Sequence, residues 1–467
     1  MKDFFKKNDL LKVAGILVLF AVLITWLIPQ GYHNGTEFVS MEITRVGIFD
    51  FFTYGVLGIF YFPVMIVFIF ILGGFYQVLS KTKGYQNITS YIAKKFKGVE
   101  IVFILLVSFL IAALTTIIND IYVVVTFIPF FISIMSKMKL PKMTGFTTTF
   151  GSLFIGIMGA VYSSQIVGEN IKQLSVTYDH LIWYKLSIFA IAFILFSVLN
   201  VTYLKRKLGK KDTEVTKELF ETKVVSKSKK TWPVAVIFGI FALIGIIAYM
   251  PWQQVFNVTI FSDITTNIKE FLILDEPLFG YILGGVEPFG KWELVDLLIV
   301  MVMITLVIKV VCKISFDDYL TAFGEGLQKV AKFAVLILAS FLIVEFAFMF
   351  PVLPTITDWI MTRVSDFNAA LAALAGLVTG LFSSEYQYFI VLFGSYISGA
   401  YSAVAKETSL LMQSTYGIMG LITPASAMLL VGLSYLNISY RDWFKYIWKF
   451  LVLMIVVVTI FTFHLTK

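Results

Sequence analysis

Two carboxylates, Asp120 and Glu385, stand at the centres of long apolar stretches, each among small neutral hydrogen-bonding residues. The first lies in Thr115-Thr116-Ile-Ile-Asn119-Asp120 and the second in Ser383-Ser384-Glu385-Tyr-Gln387. A carboxylate at membrane depth costs about 2.5–3.5 kcal/mol on insertion scales, so it is usually paired, protonated or turned to a water-filled cavity. The chemistry implied is binding: a coupling Na+ or H+, or the ammonium of a substrate. The plainer alternatives are hydroxyls bonded back to the preceding helical turn and a tip hydrated at the interface. Glu345, inside another apolar segment, is a third buried acid whose plain reading is an inter-helix hydrogen bond.

Two further segments mix glycine with polar residues. One carries Gly151, Gly156 and Gly159 before Ser163-Ser164-Gln165, and the other carries Gly417 and Gly420 before Thr423-Pro424-Ala-Ser426. Proline and glycine weaken a helix, and freed carbonyls can coordinate a cation or line a site. Gly156, Gly159, Gly417 and Gly420 are therefore ion-coupling candidates alongside Asp120 and Glu385. Close helix packing through small residues is the alternative.

The elements that position these residues are membrane helices. Of 467 residues, 59% are hydrophobic and only 14% charged, against about 25% charged in soluble domains; mean hydropathy is +0.89. The composition predicts an all-α polytopic membrane protein. Candidate spans are 11–29, 56–79, 144–164, 182–203, 232–250, 294–313, 331–351, 413–436 and 442–464, each near the roughly 20 residues a crossing needs. Lys and Arg gather on the cytoplasmic side, which places the basic N-terminus inside. The first stretch ends at Pro29-Gln30-Gly31 with no small-residue cleavage site, so it reads as a retained helix and not a signal peptide.

The charges flanking 99–135 (Lys94, Lys95, Lys97; Lys137, Lys139, Lys142) put both its ends inside. Residues 367–401 then have both ends outside. These are predicted re-entrant hairpins with polar tips, and backbone at that depth survives only where protein buries it or a cavity hydrates it. Stretches 84–97 and 315–328 read as amphipathic helices on the inner surface. The 204–231 loop holds ten basic and four acidic residues, an inside signal, whereas 251–293 holds six acids and two lysines. The predicted organisation is an inverted repeat: 1–203, a linker region 204–293 with helix 232–250, and 294–467, with the C-terminus outside. The net charge of +8 lies in inner loops, without the interleaved aromatics of a nucleic-acid site. The three histidines are far apart, and Cys312 is the only cysteine, so neither a histidine metal site nor an internal disulfide is expected. HExxH, Walker, GxSxG and CxxC patterns are absent, which argues against an enzyme and for a carrier; a channel is the other non-enzymatic reading.

At these residues the chain resembles the YfcC-type carriers, akin to the AbgT and C4-dicarboxylate carriers of the ion-transporter superfamily. The likeness rests on Trp26-Leu-Ile-Pro29-Gln-Gly31, Phe70-Ile-Leu-Gly73-Gly74-Phe75 with Lys81-Thr-Lys-Gly84, and Asn119-Asp120. It continues in Gly156-x-x-Gly159 with Ser163-Ser164-Gln165-Ile-Val-Gly168, in Ser383-Ser384-Glu385-Tyr-Gln387, and in Leu421-Ile-Thr423-Pro424-Ala-Ser426-Ala-Met428 before Tyr440-Arg-Asp-Trp443. The resemblance implies an elevator-like, dimeric secondary carrier in the cell membrane, with nine helices and two hairpins, for small carboxylates or amino acids. The chain departs from the family pattern where Ser-Ser-Gln replaces Asn-Pro and where a tip glycine has become Glu385. No lysine or arginine is apparent near the tips to pair a dicarboxylate. The expected substrate is therefore an amino acid, with exchange of a basic amino acid as one form of this reading and a C4-dicarboxylate as the alternative.

Overall fold

The computed structural model describes residues 9–34, 37–210, 213–220, 223–228 and 230–467; the basic residues 1–8 and part of the 204–231 loop lie outside them. Helix α1 (Asp9–Leu27) leads into a small antiparallel pair, β1 (Gly31–His33) and β2 (Phe38–Ser40). Next come α2 (Ile48–Tyr61) and α3 (Pro63–Ser80). The break between them falls at Phe62, because Pro63 has no N–H and disfavours helical backbone in the residue before it. The expected span 56–79 runs across that break. Helix α4 (Lys83–Lys95) is capped by Thr82, whose side chain accepts the Tyr85 N–H.

Helices α5 (Glu100–Ile117), α6 (Ile121–Thr126) and α7 (Ile128–Lys137) form the first polar-tipped segment. The next helix is irregular: α8 (Lys142–Phe146), a wide π turn over Thr147–Gly151, α9 (Ser152–Met158), an unwound stretch at 159–163, a second π turn over Ser164–Gly168 and α10 (Glu169–Leu174). The long α11 (Ile182–Lys207) and then α12 (Trp232–Ala248) follow, with short helices α13 (Trp252–Phe256), α14 (Ile260–Glu270) and α15 (Leu278–Leu283).

After α16 (Leu294–Val311), α17 (Phe316–Met349) runs unbroken for 34 residues. It absorbs both the stretch 315–328 and the span 331–351, which the sequence suggested were separate. Ser315 caps it by accepting the Asp318 N–H, and no proline interrupts it. At 1.5 Å per residue it is about 51 Å long, well beyond a bilayer core of roughly 30 Å. Helix α18 (Val352–Met361) precedes the second polar-tipped pair, α19 (Ala369–Leu381) and α20 (Tyr386–Ala400). The chain then bends by 114° near Tyr401 into α21 (Ala405–Gly420), unwinds through 421–426, and ends in α22 (Ala427–Tyr435) and α23 (Tyr440–Leu465).

Among the described residues, seven helices are long and apolar enough to cross a membrane: α1, α3, α5, α11, α16, α17 and α23; the bent pair around Tyr401 would add an eighth. The expected spans 144–164 and 413–436 appear as interrupted helices, and 232–250 as a 17-residue helix.

The frame of the molecule is the crossing of α3 and α17. A Cβ on Gly326 would collide with the backbone of Gly73, and one on Gly73 would lie 2.6 Å from the Gly326 carbonyl. Close approach of this kind requires two residues without side chains. At one end the crossing is tied by the ion pair Lys81–Glu325 (2.9 Å), by Gln77 Nε2 donating to Glu325 (2.9 Å) and by Lys329 donating to Gln77 (3.0 Å).

Candidate functional site

The two polar tips meet. Asp120 caps α6: its carboxylate accepts the Tyr122 N–H at 2.8 Å. Two residues on, the Tyr122 hydroxyl donates to Glu385 Oε1 at 2.8 Å, across 263 residues of sequence. Phe68 of α3 holds the Tyr122 ring edge-to-face, 5.1 Å between centroids. Glu385 itself is the N-cap residue of α20, but its side chain makes no cap hydrogen bond there and accepts from Tyr122 instead. Between the tips lies a cavity of about 160 Å³. Thr115 and Tyr122 line it from the first tip, Ser384, Glu385 and Gln387 from the second, and Ser163, Gln165 and Ser426 from the two unwound stretches.

The unwound stretches are possible because other helices satisfy the backbone they expose. At 159–163, Gln413 Nε2 donates to the carbonyls of Met158 and Ala160 (both 3.2 Å), and Ser414 Oγ donates to Met158 (3.2 Å). At 421–426 the freed carbonyls of Leu421, Ile422 and Pro424 accept from Trp443 Nε1 (2.6 Å), Tyr440 Oη (2.5 Å) and Ser340 Oγ (3.3 Å).

The remaining sequence candidates hold this frame together. The Thr116 carbonyl accepts three successive N–H groups, from Val161, Tyr162 and Ser163. Asn119 accepts from Ser164 Oγ (2.6 Å), donates through Nδ2 to Gly290 (3.1 Å) and through its backbone to Tyr249 (2.8 Å). Ser383 bonds back to Thr379 (2.9 Å), and Thr115 to Ile111 (2.8 Å), the plain reading of a hydroxyl in a helix. The Thr423 hydroxyl donates to Leu381 and accepts the Ala425 N–H. Ser426 caps α22 by accepting from Leu429.

The four glycines make close packing contacts. A Cβ on Gly156 would strike Thr115 and the Ala112 carbonyl, and one on Gly159 would strike Phe189. At Gly417 and Gly420 it would meet Met158 and Phe154 respectively. Their backbones bring α9 against α5 and α11, and α21 against α9.

Three tyrosines were not singled out from sequence. Tyr122 is described above; Tyr386 donates to Asn170 Oδ1 (2.6 Å) and Tyr416 to the Ser384 carbonyl (2.8 Å). The available signal was adjacency, since Tyr122 and Tyr386 lie within two residues of the tip acids. Glu169 also lines the cavity, giving it a second acid beside Glu385, and no lysine, arginine or histidine is among its lining residues. Lys185, in the first turn of α11, is fully buried with no hydrogen-bond partner for its ammonium, and its backbone packs on Gly159.

Outside the helices, His180 joins the loop before α11 to α21 through an Nε2 contact with Ser409 Oγ (2.7 Å). Burial, and then the nearby Lys185 charge, hold its pKa down from 6.5 to about 4. Between those values the unfolded chain binds the proton that the folded chain refuses, so folding stability falls as pH drops from about 6.5 toward 4. His180→Gln is expected to flatten that part of a melting-temperature profile against pH; an unchanged slope would show that His180 is not its source.

The family described as C4-dicarboxylate anaerobic carrier (DcuC) matches residues 8–467. No curated protein sequence matches the chain. Among solved structures, the YdaH transporter of Alcanivorax borkumensis shares 12% identity over 97% of each chain with a TM-score of 0.44. MtrF of Neisseria gonorrhoeae, described with a class of antimetabolite efflux pumps, shares 10% identity over 97% of this chain and 94% of its own, with a TM-score of 0.39.

Proposed function

The chain belongs to the C4-dicarboxylate anaerobic carrier family and is a secondary carrier; from that premise we propose that it moves a small amino acid through the cavity between the two tips. The observation that carries this is Glu385 on the cavity wall, with no basic side chain among the lining residues; Glu169, the other acid of the wall, is paired with Lys172 at 2.6 Å. A substrate ammonium meets Glu385, while its carboxylate meets the N-terminal turn of α20, where unsatisfied N–H groups and the helix dipole favour an anion. A basic amino acid adds a second cation, which competes with Lys172 for Glu169 and suits exchange of related cations. A dicarboxylate is the second reading, favoured by the family match; in that case Na+ or H+ would have to neutralise the acids first.

The order of elements supports an inverted repeat. Helices α16, α17 and α18 follow the order of α1, the broken pair α2–α3, and α4. Each set is followed by a polar-tipped pair, an interrupted helix and a long last helix. In this reading 1–203 and 294–467 are the repeats, 204–293 links them, and the tips approach from opposite faces of the cell membrane, with the N-terminus inside and the C-terminus outside. The tips and interrupted helices then shift together against the α3–α17 crossing, an elevator in each subunit of a dimer.

Purified protein in liposomes, loaded inside with unlabelled solute, separates the two substrate readings. Radiolabelled arginine is expected to enter by exchange and to be displaced by ornithine, with succinate inert. A ligand at 100 times its Kd should add about 2.7 kcal/mol of stability by mass action, seen as a raised melting temperature. Uptake of succinate without arginine would overturn the amino-acid reading.

A further inference from the structure

Glu345 is the one acid in the long apolar part of α17, and it is 4% exposed. Neither carboxyl oxygen has a hydrogen-bond partner. It fits against α2 because residue 58 is glycine: a Cβ there would lie 3.0 Å from Glu345 Oε2. The walls around this level of α17 are aromatic. Phe62 stacks on Phe341 at 3.9 Å, and Tyr388 of α20 stands edge-on to Phe62 (6.1 Å) and Phe348 (5.5 Å). The carboxyl therefore lies where α17 meets the second tip, with nothing to stabilise a charge.

Its ionisable neighbours come from two helices. From α2, Tyr54 lies within electrostatic reach of both Glu345 and Asp50, and Asp50 is exposed. From α20, Tyr388 lies within reach of both Glu345 and Glu385. Glu385 is bonded to Tyr122 at the cavity. The other elements packed on α17 add no charge at this level: α3, α22 and α1 beyond Lys12 carry no acid or base. The tyrosines of α3 and α22, Tyr76 and Tyr435, are packed on Phe220 and Phe333.

We infer that Glu345 is a proton-binding group of the transport cycle, exchanging one proton with the outer surface past Tyr54 and Asp50 and with Glu385 past Tyr388, so that the coupling ion is H+. This rests on the carrier reading above. The step is a plain protonation: one O–H bond forms on Glu345 as one breaks on the donor, and no electron moves. A neutral Glu345 suits the closed apolar interface, and an ionised one requires water, so its protonation state is tied to whether α17 and the second tip are sealed.

Two measurements on the full-length protein decide the matter. Infrared difference spectra against pH, in lipid, are expected to show the carbonyl stretch of a carboxylic acid free of hydrogen bonds. Glu345→Gln should remove that band and Glu345→Asp should retain a shifted one; a band unchanged in Glu345→Gln overturns the inference. In liposomes with a trapped pH dye, arginine and succinate are each offered under a pH gradient. Glu345→Gln is expected to cut gradient-driven accumulation about tenfold, within the ~5–150-fold range of coupling energies, and to leave solute exchange intact. Equal accumulation by the variant and the parent protein also overturns it. If the parent protein takes up neither solute, the substrate reading fails and the infrared band alone decides the role of Glu345.

Discussion

Glu385→Gln is expected to reduce uptake by roughly 100-fold while the protein still folds and inserts. Glu385 is a wall of the cavity and the acceptor of the Tyr122 hydroxyl. Hydrogen bonds to charged groups contribute about 1.5–3 kcal/mol, and each 1.4 kcal/mol is tenfold in affinity. Losing the charge removes the proposed partner of a substrate ammonium and weakens the contact between the tips. Tyr122→Phe is the control: it removes only the contact, and should cost about tenfold by the same scale. Uptake into liposomes, with melting curves for both variants, separates the effects. If Glu385→Gln transports as well as the parent protein, the cavity between the tips is not the substrate site.

Gly326→Leu is expected to abolish accumulation of folded protein. The atoms that would meet its Cβ belong to the backbone of Gly73 and Gly74, the latter's Cα at 2.7 Å, so no rotamer change relieves the clash. Overpacking ordinarily costs about 1–3 kcal/mol; forcing two backbones apart along the principal crossing lies at or above the top of that range. Gly324→Leu, two residues away on the same helix, has open space around its Cβ. It should be neutral or slightly stabilising, since glycine in a helix costs about 1 kcal/mol relative to better helix formers. Size-exclusion profiles and melting temperatures of the pair make the test, and equal behaviour would mean that the crossing is not the frame of the molecule.

The apolar stretches, the polar tips and both interruptions could be read from the chain, because each leaves a local mark. A run of apolar residues, a tip of Ser, Thr and acid, or a proline after glycines acts through its own backbone. Pro424 and Gly159 were visible for that reason. What escaped depends on partners far along the chain. Nothing beside Tyr122 announces Glu385, and nothing beside Gly326 announces Gly73. The continuity of α17 was hidden because Lys329 and Lys332 interrupt its hydropathy without interrupting its hydrogen bonds. Pro63, in contrast, sat within an expected span, where its missing N–H made the break that hydropathy averaging smoothed over. Most of the hydroxyls suspected of binding are bonded to neighbouring backbone, and the residues that line the cavity share their tips with others that hold it in shape. Spacing alone could not separate the two groups.

Asn119 has a consequence for how the cavity could be entered. Through it the first tip is stapled to Tyr249 at the end of α12, to Gly290 beyond it and to Ser164, while Thr116 holds three further N–H groups. The second tip has four hydroxyl bonds, from Tyr122 to Glu385, Tyr416 to Ser384, Tyr386 to Asn170 and Thr423 to Leu381, and, at the far end of α20, a 114° elbow. Parting the first tip would break a backbone and amide network shared by three elements; parting the second would break four hydroxyl bonds and swing a helix about its elbow. The doorway is therefore asymmetric, with a fixed jamb on one side and a hinged leaf on the other.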